Sequence, residues 1–309
     1  MLIAEWCQRP VLWHHLRWEG ISAMSDLVLT YVCNAGILLS WKGYTAAIDV
    51  FANDPDGIYM DTPSRWKEEI FGLAAAGRLP FLAVSHEHAD HYCREDVLRT
   101  VEESRKNAHL TGILTTRPVA EDLLEHSCGD HRNILRQNML VLPETEEGCT
   151  FDFSFGNTSD AAQLHVQALN VRHDGKQYAS VQNILLLAEF RTEGQAVKIA
   201  VPADASPTPE LYRRIARWSR EIDWLIVPFP CIGKTSARRA LAGALTVHHI
   251  AAYHFPAAGR DEQGWYAHTE ALCREADDGL PYPVFLREPG SSIAIFRISS
   301  VQTLKNVII

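Results

Sequence analysis

The sequence predicts an α/β fold, and two observations support this prediction. Short apolar runs bounded by Gly, Pro or Asn alternate with segments of helical spacing along the chain. The two halves, roughly residues 27–150 and 151–300, each give strands followed by helices. This order suits a four-layer αββα sandwich, in which two sheets face each other between outer helices and share one site.

Composition places the chain among ordinary globular proteins. Its 309 residues are 47% hydrophobic and 22% charged, so the chain is long enough to bury a large core. We expect an N-terminal extension over residues 1–26, followed by one domain over residues 27–309. The formal net charge of −9 argues against a nucleic-acid partner and leaves a small molecule as the expected one.

Cysteine usage and hydropathy predict a soluble cytoplasmic protein with no membrane partner. The cysteines are odd in number, scattered and without a Cys-x-x-Cys pair, which is typical of reduced thiols. Residues 1–10 lack a signal-peptide pattern, and no apolar run approaches the ~20 residues of a membrane span. The Trp- and His-rich residues 13–18 are expected to pack on the domain, with a homo-oligomer contact as the alternative. The seven cysteines are Cys7, Cys33, Cys93, Cys128, Cys149, Cys231 and Cys273.

The first half opens with three strands, over residues 27–33, 37–41 and 45–50, joined by tight turns as in an antiparallel meander. Asp49 is expected at the end of the third strand, where a carboxylate can orient a ligand imidazole. Residues 51–63 form a polar loop expected at the mouth of the site. Ser64 is predicted to cap a helix over residues 64–76 that stops at Gly77.

The densest chemistry follows the next strand, over residues 80–85, and precedes a helix over residues 94–101. Four residues in this connection, His86, His88, Asp90 and His91, carry an imidazole or a carboxylate. Borderline divalent metals such as Zn²⁺ bind both groups, whereas a core would need a separate partner for each one. The spacing therefore predicts a metal site at the end of a strand.

Later strand ends supply three further candidate ligands. His173 follows a strand over residues 163–171 and is preferred to His165, which lies within that strand. Asp204 follows a strand over residues 196–201, and His254 ends a strand that begins at His249. The other expected elements are strands over residues 109–115, 139–142, 148–153, 183–190, 223–229 and 292–298, and helices over residues 117–127, from 208 and over 235–245, with one more after 263.

Four further predictions concern single segments or residues outside the main motif. We assign residues 139–142 to the second half of the sandwich. Cys128 and its neighbours His126 and His131 are interpreted as a loop, because they lack the paired spacing of structural zinc sites. Lys234 is a candidate for binding an anionic substrate, with a solvated loop lysine as the alternative. Tyr253, next to His254 along its strand, is expected to face the core.

The motif His86-x-His88-x-Asp90-His91, followed by His173, Asp204 and His254 at strand ends, resembles the signature of the metallo-β-lactamase superfamily. The resemblance covers nearly all of the chain after residue 26. It implies an αββα sandwich with two divalent ions, zinc first and manganese or iron as alternatives. His86, His88 and His173 would hold one ion, Asp90, His91 and His254 the other, and Asp204 would bridge them. Asp90 and His254 are the candidate catalytic residues, with Asp90 as a proton carrier.

Three functions remain open at the level of sequence. The first is hydrolysis of a small ester, lactone or phosphoester by a metal-bound hydroxide. The second is a phosphodiesterase or nuclease of the same superfamily, although no basic stripe with interleaved aromatic residues is evident. The third is a non-hydrolytic iron oxidoreductase. The di-iron oxidases of the superfamily usually have Glu where this chain has His88.

Overall fold

A computed structural model describes residues 27–106, 110–145, 148–155, 162–192 and 195–295. The expected N-terminal extension, with its Trp- and His-rich segment, lies outside the described residues. So do the start of the strand predicted from residue 109, the turn at residues 193–194 and the end of the strand predicted from residue 292. The described residues form two seven-stranded sheets that pack face to face with helices on both outer surfaces.

The first sheet begins with the antiparallel meander that the sequence predicts, and it continues with three parallel strands. Its spatial order is β14-β1-β2-β3-β4-β5-β6. Its strands are β1 (Leu27–Cys33), β2 (Gly36–Trp41), β3 (Tyr44–Ile48), β4 (Phe81–Val84), β5 (Gly112–Thr115), β6 (Met139–Val141) and β14 (Ser292–Ala294).

The second sheet has the spatial order β13-β12-β11-β10-β9-β8-β7. Strands β7 to β10 pair antiparallel, and β10 to β13 pair parallel. Strands β8, β10 and β12 therefore run in the same direction and end at the same edge of the sheet. Its strands are β7 (Cys149–Phe155), β8 (Ala162–Arg172), β9 (Gln182–Thr192), β10 (Gln195–Val201), β11 (Glu221–Pro228), β12 (Thr246–Tyr253) and β13 (Val284–Phe285).

The helices divide between the two outer faces of the sandwich. One apolar cluster lies between the sheets, and it includes Leu29, Ile37, Val166 and Ile226. A second cluster packs α1 to α4 on the first sheet, and a third packs α5 to α7 on the second sheet. Three apolar layers imply four structural layers, which confirms the predicted αββα sandwich. The helices are α1 (Ser64–Ala75), α2 (Arg94–Ser104), α3 (Arg117–Glu125), α4 (Gly129–Asn138), α5 (Pro209–Trp218), α6 (Thr235–Ala244) and α7 (Trp265–Glu275).

Several local predictions are wrong. Ser64 does not cap α1, because it is already helical and the preceding residue is Pro63. The segment around Cys128 is not simply a loop, since α4 begins at Gly129 and connects it to β6. Residues 139–142 belong to the first sheet, where β6 pairs with β5. Strand β12 begins at Thr246, so His249 lies within it.

The last strand corrects the division into two sequential halves. β14 pairs antiparallel with β1, and Leu29 lies opposite Ile293. The first sheet therefore takes strands from both ends of the described chain. Within the described ranges, no helix is long and apolar enough to cross a membrane, and the six described cysteines are free thiols.

Candidate metal centre

The predicted ligands meet at one edge of the sandwich. Strand β4 ends at Val84, and the loop after it carries His86, His88, Asp90 and His91. In the second sheet, β8, β10 and β12 end just before the remaining ligands, which are His173, Asp204 and His254. The backbone of Ile184 donates to the carbonyl of Ser85 at 3.1 Å and ties the two sheets together beside the loop.

The first donor group contains three imidazoles. His86 Nε2 lies 3.1 Å from His88 Nδ1 and 3.3 Å from His173 Nε2. His86 and His173 are buried, whereas His88 is partly exposed. Three ring nitrogens thus converge from two sheets on one position that a metal ion can occupy.

The second donor group combines two imidazoles with two carboxylates. His91 Nε2 and His254 Nε2 lie 3.0 Å apart. Asp204 Oδ2 lies 3.4 Å from the first and 3.3 Å from the second, and Asp90 Oδ2 lies 3.1 Å from His254 Nε2. The same Asp204 oxygen is 3.6 Å from His173 Nε2 of the first group. Asp204 therefore reaches both groups, which is the position that a bridging carboxylate needs.

The chemistry of the donors fits divalent metal ions. Each group offers at least three ligand atoms within 4.8 Å of one another. Asp204 Oδ1 is buried and has no hydrogen-bond partner among the described residues. A buried carboxylate oxygen without a hydrogen-bond partner destabilises the folded protein unless a cation contacts it. A pair of ions would satisfy this oxygen together with the converging imidazole nitrogens.

Hydrogen bonds behind the ligands fix the orientation of their rings. Asp49 Oδ2 lies 3.0 Å from His91 Nδ1, as predicted for an orienting carboxylate. The backbone and hydroxyl of Ser85 donate to Asp49, and the same hydroxyl lies 2.9 Å from His86 Nδ1. His173 Nδ1 lies 2.6 Å from the carbonyl of Asp174. All three rings are therefore held so that Nε2 points into the site.

Comparisons with known proteins give a fold but no close relative. No protein-family model and no curated protein match the sequence. A mutant of the β-hydroxylase CmlA matches in structure with a TM-score of 0.54 at 15% identity, over 87% of this chain and 54% of that chain. A second CmlA structure describes that enzyme as a diiron β-hydroxylase from Streptomyces venezuelae. This chain thus spans about half of the hydroxylase.

Two further structures match over nearly their whole length. A possible metal-dependent hydrolase from Veillonella parvula has a TM-score of 0.53 at 12% identity, over 87% of this chain and 99% of that chain. Unliganded yeast PDE1 has a TM-score of 0.50 at 10% identity, over 86% and 99% of the two chains. These likenesses, the two seven-stranded sheets and the histidine motif all indicate the same fold. The chain has the metallo-β-lactamase fold.

Within this metallo-β-lactamase fold, charge is distributed unequally between the two groups. Burial and the nearby His91 hold the pKa of His86 well below its ordinary value, so this ring is neutral. Burial alone would lower the pKa of His91, but the carboxylates of Asp204 and Asp90 outweigh burial and raise it to about 10. They also raise the pKa of His254 well above its ordinary value. The imidazoles of the second group therefore hold a proton, whereas His86 of the first group does not.

Positive φ angles are concentrated at the candidate metal centre. Four described residues other than glycine have positive φ angles, and three of them belong to the site. These are Asp49 (φ 50°), Ala203 (φ 46°), which precedes Asp204, and His254 (φ 65°), whereas Lys42 (φ 46°) lies in the β2–β3 turn. Residues other than glycine are uncommon in this conformation, although Asn, Asp and His are enriched in it, and it persists where the surrounding structure imposes it. The positive φ angles of Ala203 and His254 occur where the chain leaves β10 and β12 and enters the site.

Two tyrosines flank the mouth of the site and were not predicted. The Tyr59 ring lies 4.5 Å from the His254 ring, and the Tyr178 ring lies 4.8 Å from the His88 ring. Tyr59 belongs to the loop over residues 51–63, which confirms the expected position of that loop. Lys234 lies nearby with its Nζ 3.4 Å from Asp174 Oδ2, and half of its side chain is exposed.

Other residues considered from the sequence lie outside the site. His165 is on the outer part of β8 and pairs with Asp152 at 2.8 Å. His126 and His131 form no metal-ligand group among the described residues. Tyr253 is buried in the cluster between the sheets, as predicted. Asn34 was missed, although its Nδ2 donates to Asp90 Oδ2 at 3.0 Å and its turn was evident in the sequence.

Proposed function

We propose that this chain is a metal-dependent hydrolase that acts on a small ester, lactone or phosphoester. The observation that carries the proposal is the meeting of two donor groups at Asp204 within a metallo-β-lactamase fold. An arrangement with two adjacent ions suits hydrolysis, because two ions can stabilise both the attacking and the leaving oxygen.

The ligand set supports two divalent ions, with zinc as the first choice and manganese and iron as alternatives. His86, His88 and His173 would hold one ion, Asp90, His91 and His254 the other, and Asp204 both. Such ions lower the pKa of coordinated water toward neutrality and stabilise negative charge on the substrate.

Asp90 is the proposed proton carrier. Its carboxylate lies at the edge of the second group with 14% of the side chain exposed, and Asn34 and His254 hold it by contacts of 3.0 and 3.1 Å. Burial alone would raise the pKa of Asp90, but the charge of His91 and the contact with His254 lower it to about 2. The ionised carboxylate can accept the proton of the attacking water and return it to the leaving oxygen.

The proposed substrate is small and anionic, and no nucleic acid is expected. The net charge of −9 opposes the binding of a polyanion, which requires several neutralised phosphates. Lys234, whose Nζ lies 3.4 Å from Oδ2 of Asp174, the residue after His173, is the proposed contact for one anionic group at the rim. Free thiols at the six described cysteines support a reducing compartment, and we propose the cytoplasm.

Metal analysis and a substrate screen test this function. We expect close to two transition-metal ions per purified chain and turnover within a panel of lactones, thioesters, phosphodiesters and β-lactams. His86→Ala should abolish turnover, whereas His165→Ala, which removes an imidazole outside the site, should leave it unchanged. A reproducible content of one ion in metal-replete protein would contradict the two-ion centre.

An iron-dependent oxidoreductase is the second candidate, and a phosphodiesterase is the third. The likeness to a diiron β-hydroxylase favours the former, and the likeness to yeast PDE1 favours the latter. Both likenesses lie at 15% identity or less, so they support the fold more than the reaction. Iron as the native metal, with oxygen consumption and no hydrolysis, would favour the oxidoreductase. Turnover confined to phosphodiesters would favour the phosphodiesterase.

A further inference from the structure

A cavity of about 340 Å³ lies beside the second donor group, and none of the residues that line it is a candidate metal ligand. Part of the lining comes from the loop over residues 51–63, Phe229 follows β11, and the remaining residues follow β12. Its size lies within the range of small-molecule sites. The residues that line it include Ile58, Tyr59, Phe229, Pro256, Arg260 and Trp265.

The cavity and the metal centre share a wall. The Tyr59 ring lines the cavity and also packs edge-on against the imidazole of His254 at 4.5 Å. Pro256, which lines the cavity, follows His254 by two residues. The cavity therefore lies next to the second donor group, one aromatic ring away from it.

Three of the eight residues that line the cavity are aromatic, namely Tyr59, Phe229 and Trp265. Phe229 stacks on Phe255 at 5.3 Å and lies 5.7 Å from Trp265. Trp265 is 39% exposed, so part of its ring remains available for a further contact. Rings arranged in this way favour a flat aromatic group over an aliphatic group of similar volume.

Arg260 provides the charge of the lining. Its guanidinium donates one hydrogen bond of 2.8 Å to the carbonyl of Asp56. Within the described parts of the chain, it forms no ion pair with a carboxylate, so its charge is available to an anion. Glu262 lines the same rim with the opposite charge. The charge of the ligand that binds most tightly therefore shows whether Arg260 or Glu262 determines binding in the cavity.

We propose that this cavity binds the aromatic part of an anionic small-molecule substrate, with its ring between Tyr59 and Trp265 and its charge near Arg260. The proposal rests on the proposed function, because it places the reacting bond of that substrate at the metal centre. It narrows the substrate class from small anionic molecules in general to anionic molecules that carry an aryl group.

NMR titrations of the purified, metal-loaded protein test this proposal with three probes, phenylacetate, cyclohexylacetate and phenethylamine. Phenylacetate should bind most tightly, because cyclohexylacetate lacks the aromatic ring and phenethylamine has the opposite charge. Trp265→Ala should weaken phenylacetate binding by about two- to tenfold. Arg260→Gln should weaken it by about two- to fivefold, as expected for an exposed charge pair.

Matched variants separate these effects from general damage. Tyr282→Ala removes an exposed aromatic ring and Arg191→Gln removes an exposed guanidinium, and neither residue lines the cavity. Both should leave binding unchanged, and all four variants should melt at similar temperatures.

The proposal is overturned if phenylacetate binds no better than cyclohexylacetate, if phenethylamine binds best, or if either cavity variant leaves phenylacetate binding unchanged. Phenylacetate has no bond to hydrolyse, so this outcome is independent of activity. Tight aryl binding without turnover of any ester would refute the proposed function alone. Turnover with no preference for aryl substrates would refute the cavity proposal alone.

Discussion

The two donor groups of the metal centre differ in charge and in support. The first group is three imidazoles, one of them partly exposed, and it contains no carboxylate of its own. The second group adds Asp90 and Asp204, and Asp49 braces its buried His91. Two carboxylates can balance most of the charge of a divalent ion. We infer that the second position binds its ion more tightly, and that the first depends on sharing Asp204.

The largest expected effect comes from removing the shared ligand. Asp204→Ala should weaken both ions and lower activity by about 10²-fold or more, since even residues behind a ligand contribute up to that much. Metal content by mass spectrometry and turnover of a substrate found in the screen provide the measurements. Asp152→Ala, at an exposed carboxylate on β7, is the matched control. Loss of only one ion in Asp204→Ala would show that the two groups do not share this residue.

Removing one imidazole from each group should change protein stability by different amounts. His91→Ala should empty the second position and lower the free energy of unfolding by about 1–3 kcal/mol, because buried Asp49 loses a hydrogen-bond partner. His88→Ala should lower occupancy of the first position and change stability by no more than about 0.5 kcal/mol, because this ring is partly exposed.

Denaturant titrations of the metal-free variants, together with their metal contents, check this pair of predictions. Equal losses of stability in the two variants would argue against a rigid second group and a more open first group.

Asp49→Asn should affect the second group more than the first, because Asp49 contacts His91 directly and reaches His86 only through the Ser85 hydroxyl. Asn also adopts positive φ, so the backbone at this position can persist. The amide can donate to His91 Nδ1, which places the ring proton on Nε2, where a ligand needs a lone pair. We expect metal affinity at the second position to fall by about 10- to 100-fold. Competition with a chelator measures this loss, and unchanged affinity would mean that Asp49 does not set the His91 tautomer.

The smallest expected effect is a difference in proton release. The carboxylates hold a proton on the His91–His254 pair, and their Nε2 atoms are only 3.0 Å apart, so one proton can serve both rings. A metal must displace this proton, because it binds neutral imidazole. At about pH 8, filling the second position should therefore release about one proton.

Calorimetry in buffers of different ionisation enthalpy measures this release. His88→Ala reports mainly on the second position, and His91→Ala reports on the first. Because the pKa values of His86 and His88 lie below their ordinary value, the first position should release fewer protons. Equal proton release in the two variants would contradict a difference in protonation between the two groups.

The sequence predicted the fold where the signal was local. Strand patterns and tight turns marked the meander of β1 to β3, and the pairing confirms it. Helix α4 was missed because Gly129–Asn138 is mostly polar, and Leu135 is its one buried side chain. The pairing of β6 with β5 and of β14 with β1 joins distant segments, and no local pattern specifies such partners.

The same rule applies to the metal centre. The residues His86, His88, Asp90 and His91 lie in one loop, so their spacing alone indicated a site. His173, Asp204 and His254 were identified because each follows a strand, and the structure brings all three to that loop. Ser85, Asn34, Tyr59 and Tyr178 have no motif of their own. Their contacts depend on how the two sheets are placed, which spacing along the chain does not encode.

The return of β14 to the first sheet also affects how the chain is made. Val28 pairs with Ala294, so a ribosome must add more than 260 residues between these two partners. Until then, the outer edge of β1 has unpaired backbone groups that can pair with another nascent chain. A contact at this separation is also slow to form, because a long loop must close first. The growing chain therefore depends on β14, the last strand that the structure describes, to protect β1, the first one.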